Sequence, residues 1–127
     1  MTTPGLILVI DDEAIVRNVL AKLAEHLGYR VTTASSGAEA VEMCQKETPT
    51  AVILDVRMPE LDGPATLDAL RHTNPDLPCV FVSGNPSPYT VEELLARGKT
   101  AFVNKPAALS QLEAAFARVI PAGEGRR

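Results

Sequence analysis

The chain has 127 residues, a formal net charge of −4, 46% hydrophobic and 22% charged residues. That length suits one domain that buries about two-thirds of its unfolded surface, and the balance of apolar and charged residues excludes a disordered chain. The acidic charge argues against nucleic acid or an anionic membrane as the main partner, and no apolar segment approaches the length of a membrane span.

Aromatic residues make up only 4%, with no Trp, so the core is built from Val, Leu, Ile and Ala. The opening MTTPG lacks a basic region followed by a long apolar run, so no signal peptide is expected and the domain reads as cytoplasmic. Cys44 and Cys79 stand far apart in apolar surroundings. They read as small buried hydrophobes in a reducing compartment, not as a disulfide or metal pair.

In chain order, Leu6–Ile10 (LILVI) is a fully apolar run, the pattern of a strand buried on both faces, and it ends in Asp11-Asp12-Glu13. From Ala14 the period changes. Ile15, Val19, Leu23 and Leu27 recur every four residues and predict an amphipathic helix ended by Gly28. Tyr29–Ala34 is β-branched and less apolar, an edge strand. Ser36 and Glu39 form a capping-box pattern for a helix over Gly37–Glu47, which Pro49 closes.

Ala51–Leu54 is the central strand, ended by Asp55 and then by Met58-Pro59. Asp62-Gly63-Pro64 supplies a cap and a first-turn proline for a helix reaching about Thr73. Cys79–Val82 is the next buried run, ending in Ser83-Gly84-Asn85, with Pro86 and Pro88 in the loop that follows. Thr90 with Glu93 is a second capping box, for a helix to about Arg97. Thr100–Asn104 is the fifth strand, ending in Lys105-Pro106. Leu109, Leu112, Phe116 and Val119 mark a last helix that Pro121 stops, before a short loose tail over 122–127.

Five strand–helix alternations imply parallel strands joined by right-handed crossovers, with helices on both faces. In such a doubly wound sheet the carboxyl ends of the strands share one edge. Along that edge the sequence places Asp11, Asp12, Asp55, Ser83 and Lys105. Each has a plain explanation alone: an acid after a strand can cap the next helix, and Asp12 can be only that. A Ser before Gly is a turn residue, and a Lys before Pro is solvated. Together they suit one chemistry. Crowded carboxylates repel and are relieved by a hard divalent cation, while a lysine and a hydroxyl complete a cradle for a phosphoryl group. Asp55, alone on its strand, is the natural nucleophile, forming an acyl phosphate.

The DDE after the first strand, D-x-x-M-P at Asp55–Pro59, Asp62-Gly63, Ser83-Gly84 and Lys105-Pro106 resemble the receiver domain of bacterial two-component response regulators over about Leu6–Ile120. The resemblance implies a flavodoxin-like (βα)5 three-layer α/β sandwich with five parallel strands in the order 2-1-3-4-5, forming a receiver domain over residues 4–121 with no output domain in this chain. It implies that Asp55 accepts a phosphoryl group from a phosphohistidine on a sensor kinase or phosphotransfer protein. Asp12, Asp55 and the backbone carbonyl of Arg57 would bind Mg²⁺ (or Mn²⁺), with Asp11 acting in the same pocket. Ser83 and Lys105 would grip the phosphoryl oxygens, with a cis Lys105-Pro106 bond.

Phe102 stands at the family's switch-aromatic position. The resemblance implies that Arg57 and Asn85 would line the path of the hydrolytic water, and the bulk of Arg57 is expected to slow phosphoryl loss. The domain would assist its own phosphoryl transfer and autodephosphorylation without being an enzyme in the ordinary sense. It would then signal by protein contact, to a downstream partner or a second copy, through the face of the fourth helix, fifth strand and fifth helix. The chain departs from the family pattern at Ala107, where many relatives carry Phe, at Gly98-Lys99, where Gly-Ala is commoner, and in the two loop prolines.

A receiver-fold interaction module working without phosphorylation is the competing reading. A flavin binder of the same fold class would need a Ser/Thr/Gly-rich phosphate loop after the first strand, and an aspartate-nucleophile phosphatase would show D-x-D where this chain has Asp55-Val56-Arg57. His26 and His72, near predicted helix ends on polar stretches, read as solvated surface residues.

Overall fold

The computed structural model of the chain describes residues 5–121. The predicted tail at 122–127 and residue 4 lie outside them. Five strands, β1 (Leu6–Ile10), β2 (Arg30–Ala34), β3 (Ala51–Asp55), β4 (Cys79–Ser83) and β5 (Thr100–Asn104), alternate with five helices. These are α1 (Ala14–His26), α2 (Gly37–Lys46), α3 (Gly63–Thr73), α4 (Val91–Leu95) and α5 (Leu109–Val119). The strands form one parallel sheet in the order β2-β1-β3-β4-β5, the flavodoxin-like arrangement. No helix among the described residues is long and apolar enough to cross a membrane.

Side chains of successive strand residues point to opposite faces, so each apolar run feeds two layers. Ile7, Val9, Ile53, Val80 and Val82 pack with Leu20 and Ala24 of α1 and with Leu112, Phe116 and Val119 of α5. Leu8, Ile10, Leu54, Cys79 and Phe81 face Ala40 of α2, Leu67 and Leu70 of α3 and Leu94 of α4. Both cysteines are free; Cys79 is buried and burial pushes its thiol upward. β2 is an edge strand with its outer residues part-exposed.

Three local expectations are corrected. The four-residue recurrence in α1 does not mark its buried face, because each step of four residues turns 400° and the row drifts around the helix. Val16, Leu20, Leu23, Ala24 and Leu27 face the core, whereas Ile15 is 80% and Val19 51% exposed. At the start of α2 the Ser36 hydroxyl does accept from the Glu39 N–H, but the Glu39 carboxylate reaches the N–H and hydroxyl of Ser35 instead of Ser36. The box at Thr90 and Glu93 forms in full.

The third correction concerns α4, which ends at Leu95, two residues short of the predicted Arg97. Its last carbonyls are taken from outside the helix. The Thr100 hydroxyl donates to Leu94 O at 3.0 Å and to Leu95 O at 3.3 Å. The guanidinium of Arg71 on α3 donates to the carbonyls of Leu77 (2.8 Å), Arg97 (2.9 Å) and Gly98 (2.8 Å). Gly98 and Lys99 then turn the chain with positive φ, 78° and 52°. One planar cation thus ties α3 to the loop that carries the chain from α4 into β5. We expect Arg71→Ala to lower stability in urea denaturation by about 1.5–3 kcal/mol, the range for charged hydrogen bonds. Arg71→Lys should recover less than half, because an ammonium cannot fork. A loss below about 0.5 kcal/mol for the alanine variant would remove Arg71 from this role.

Candidate functional site

The parallel register builds the site. Ile10 pairs with Leu54, Asp55 with Val82 and Ser83 with Asn104, so each strand delivers its terminal polar residue to the same edge. Asp55 is only 4% exposed and Asp11 is fully buried, both held by strands that are apolar along their length. Asp11, Asp12 and Asp55 each present a carboxylate oxygen within 4.8 Å of the others. The Lys105 ammonium lies 2.9 Å from Asp11 Oδ2 and 3.3 Å from Asp55 Oδ1. The predicted acid cluster and its lysine are therefore one constellation.

Each side chain is held from behind. Asp11 Oδ1 accepts the Glu13 N–H at 2.9 Å, and Arg17 reaches back from α1 to donate to the Asp11 carbonyl at 2.8 Å. No side chain caps α1 at its N-cap Glu13; Asp11 closes a turn just ahead of the helix, and Asp12 is exposed on the rim. Lys105 N–H donates to Ser83 O at 3.1 Å, which joins the lysine to the end of β4. Ser83 is buried and its Oγ accepts the Asn85 N–H at 3.1 Å. The Arg57 N–H approaches Asp55 Oδ1 at 3.4 Å while its side chain is exposed. Phe102 lies half-buried on β5, in register with Phe81. The Lys105-Pro106 bond is cis, as the resemblance implies, and so is Ser87-Pro88. His26 and His72 are exposed at the ends of α1 and α3, away from the constellation.

Three further residues hold the site in ways that their local sequence does not specify. Gly63 begins α3 directly against the end of β3. A methyl group there would collide with the Asp55 carbonyl and sit 2.8 Å from Val56 Cα, so only glycine allows this approach. Arg17, on α1, bonds back to the Asp11 carbonyl six residues earlier. Tyr89 donates its hydroxyl to Asp62 Oδ2 at 2.8 Å across 27 positions of sequence.

Electrostatically the cluster is unbalanced, three carboxylates against one ammonium. Burial, reinforced by the charge of Asp11, pushes the Asp55 carboxyl up to about 6, with Lys105 opposing. Burial works against the Lys105 charge, but its contacts with Asp11 and Asp55 prevail and hold its ammonium above the usual lysine range. Asp11 Oδ2 is buried with no well-directed hydrogen-bond donor; its contact is the ion pair with Lys105. A buried, incompletely satisfied carboxylate oxygen beside two further carboxylates is a donor set that fits a hard divalent cation.

The raised Asp55 value has a sign. Folded Asp55 holds its proton more tightly than a free carboxyl of ordinary value 3.8, so ionisation penalises the folded state. The penalty is fully present above about pH 6 and disappears as pH falls towards 4. Asp55→Asn removes it, and without divalent cations the variant should be about 1–3 kcal/mol more stable than the wild type at pH 8. That advantage should shrink between pH 6 and 4. A variant less stable than the wild type at pH 8 in denaturation experiments would contradict the charge balance.

Comparison with known proteins agrees with this geometry. Residues 7–117 match the family model of the response regulator receiver domain. The chain is 36% identical over 111 residues to the tetrathionate response regulatory protein TtrR of Salmonella typhimurium, covering 87% of this chain and 54% of that protein. It is 39% identical over 108 residues to the sensor kinase CckA of Brucella abortus, covering 84% of this chain and 11% of that kinase. This chain therefore spans about half or less of these relatives. Among solved structures it resembles the Vibrio cholerae chemotaxis protein CheY4, with a TM-score of 0.83 and 28% identity over 92% of this chain and 99% of that one. The receiver domain of NtrX from Brucella abortus matches with the same TM-score at 30% identity, over 92% of this chain and 99% of that one. With its fold, its acid cluster and its sequence in agreement, the chain belongs to the response regulator receiver domain family.

Proposed function

We propose that the chain is a phosphorylation-dependent signalling switch, a receiver unit over about residues 4–121 that accepts a phosphoryl group on Asp55. The observation that carries this reading is the buried Asp55 carboxylate, set within 4.8 Å of two further carboxylates and 3.3 Å from the Lys105 ammonium. With no cation bound, burial and the charge of Asp11 raise the Asp55 carboxyl to about 6, so at pH 7.5 it is mostly ionised and available as a nucleophile.

An Asp55 oxygen attacks the phosphorus of a phosphohistidine, the P–N bond breaks and the imidazole leaves with its electron pair, so that one phosphoryl group moves and an acyl phosphate forms. Bound Mg²⁺, held by Asp12, Asp55 and the Arg57 carbonyl with Asp11 in the same pocket, would neutralise charge between the acids and the phosphoryl oxygens. Lys105, already poised between Asp11 and Asp55, turns its ammonium to the transferred group, and the Ser83 hydroxyl donates to it. Arg57 and Asn85 flank the approach of water, and the exposed bulk of Arg57 slows hydrolysis. The unit assists this transfer and its reversal by water and turns over no separate substrate.

The donor is a sensor histidine kinase or a histidine phosphotransfer protein. Ile15 and Val19, exposed one and two turns along α1 from the rim that carries Asp12, give an apolar footing for it beside the acids. The response passes to a protein partner or a second copy through α4, β5 and α5. There a groove of about 390 Å³ runs between Val91, Leu95 and Arg118, with Phe102 in its wall. Phe102 is linked to the site through Lys105, three residues on, and moves with Ser83.

The test is intact mass after incubation with acetyl phosphate or phosphoramidate, with and without Mg²⁺. Wild type should gain one phosphoryl group only with Mg²⁺, and Asp55→Asn should gain none. No gain with either donor would contradict the reading and favour an interaction module that works without phosphorylation.

A further inference from the structure

The loop from Gly84 to Thr90, between β4 and α4, is bonded as a chain that starts at the site and ends away from it. The Asn85 N–H donates to Ser83 Oγ at 3.1 Å, and Asn85 Oδ1 accepts the Ser87 N–H at 3.1 Å. The Tyr89 N–H donates to Pro86 O at 3.0 Å, and the Tyr89 hydroxyl to Asp62 Oδ2 at 2.8 Å. Pro86 and Pro88 fix their own φ angles, so few soft dihedrals remain between Ser83 and Tyr89.

The far end of this chain is anchored. The other oxygen of Asp62 caps α3 by accepting the Ala65 N–H at 2.9 Å, and the next residue, Gly63, donates its N–H to Val56 O at 2.9 Å, one residue past Asp55. Among the described residues, the Tyr89–Asp62 bond is the only hydrogen bond that ties residues 84–90 to an element other than β4 or α4. Elsewhere the two loops are parted by an open groove of about 410 Å³, with Arg57, Met58 and Pro59 on one side and Ser87 and Pro88 on the other. Gly84, Asn85, Ser87 and Pro88 are exposed, so little packing holds the loop besides Tyr89.

We propose that Tyr89 is a positioning residue for phosphoryl acceptance: its hydroxyl latches the β4–α4 loop to Asp62 and so restrains the movement of Ser83 towards a phosphoryl group on Asp55. The inference rests on the phosphoacceptor reading above. Because Asp62 accepts its hydrogen bond, the Tyr89 hydroxyl is raised above its ordinary value and remains a donor at neutral pH. A ligand that needs Ser83 displaced must work against the latch, so removing the latch raises the affinity for that ligand by the same factor.

The isosteric variant Tyr89→Phe deletes only the hydroxyl and keeps the ring, so folding is not at issue. Two measurements on wild type and variant decide the matter. Amide exchange at Asn85, Ser87 and Tyr89, without any phosphodonor, should be about 3- to 10-fold faster in Tyr89→Phe. Affinity for beryllofluoride in saturating Mg²⁺, a phosphoryl mimic on the carboxylate, should rise by about the same factor, while affinity for Mg²⁺ alone stays unchanged. Unchanged exchange would show that the bond does not hold the loop. Faster exchange with unchanged or weaker beryllofluoride binding would show that the loop does not restrain Ser83. Either result overturns the proposal while leaving the phosphoacceptor reading intact. A wild type that binds no beryllofluoride would overturn both, and that wild-type control separates the two failures.

Discussion

Three carboxylates are pressed together at one sheet edge with a single ammonium to answer them. The rest of the structure either creates this imbalance or transmits its relief. Apolar strands on both sides bury Asp11 and Asp55, and for Asp55 this burial raises the cost of its charge. Gly63 lets α3 close directly behind the Asp55 backbone, and Arg17 holds the Asp11 carbonyl from α1. A site so built favours a cation that cancels negative charge inside it.

The same lysine connects the chemistry to the outer surface. Its ammonium lies on the acids, its backbone N–H is bonded to Ser83 at the end of β4, and Phe102 lies three residues back on β5. Beyond β4, the short helix α4 is held by borrowed hydrogen bonds, from Thr100 at its end and from Arg71 across the following loop. An element so held has few internal bonds of its own and is suited to small rigid displacement. The loop before α4 is anchored to Asp62 through Tyr89, so both ends of this region are fixed by a small number of identifiable contacts.

Much of this was legible in the sequence, for a physical reason. A strand buried on both faces must be apolar throughout, so LILVI, AVIL and CVFV announce themselves, and the polar residue that ends each one falls on the shared edge. Asp11, Asp55, Ser83 and Lys105 could be placed together on that argument, and the family resemblance agreed. What failed was finer. The four-residue row Ile15, Val19, Leu23 and Leu27 mixes two faces of α1, because a helix does not repeat every four residues. Glu39 stops one residue beyond the expected capping partner, since Ser35 offers both an N–H and a hydroxyl. The length of α4, the grip of Arg71 and the Tyr89–Asp62 bond depend on residues 26 or more positions apart, or on carbonyls that any residue could supply. No local pattern encodes such contacts.

The central claim is that Asp55 itself becomes the acyl phosphate, and it is tested most directly by chemical trapping. Borohydride reduces an acyl phosphate to the alcohol, so an aspartyl phosphate is converted to homoserine and can be located by peptide mapping after exposure to acetyl phosphate. Homoserine is expected at position 55 alone, dependent on both donor and Mg²⁺. Homoserine at position 11 or 12, or phosphate found on His26 or His72 with no homoserine, would contradict the claim.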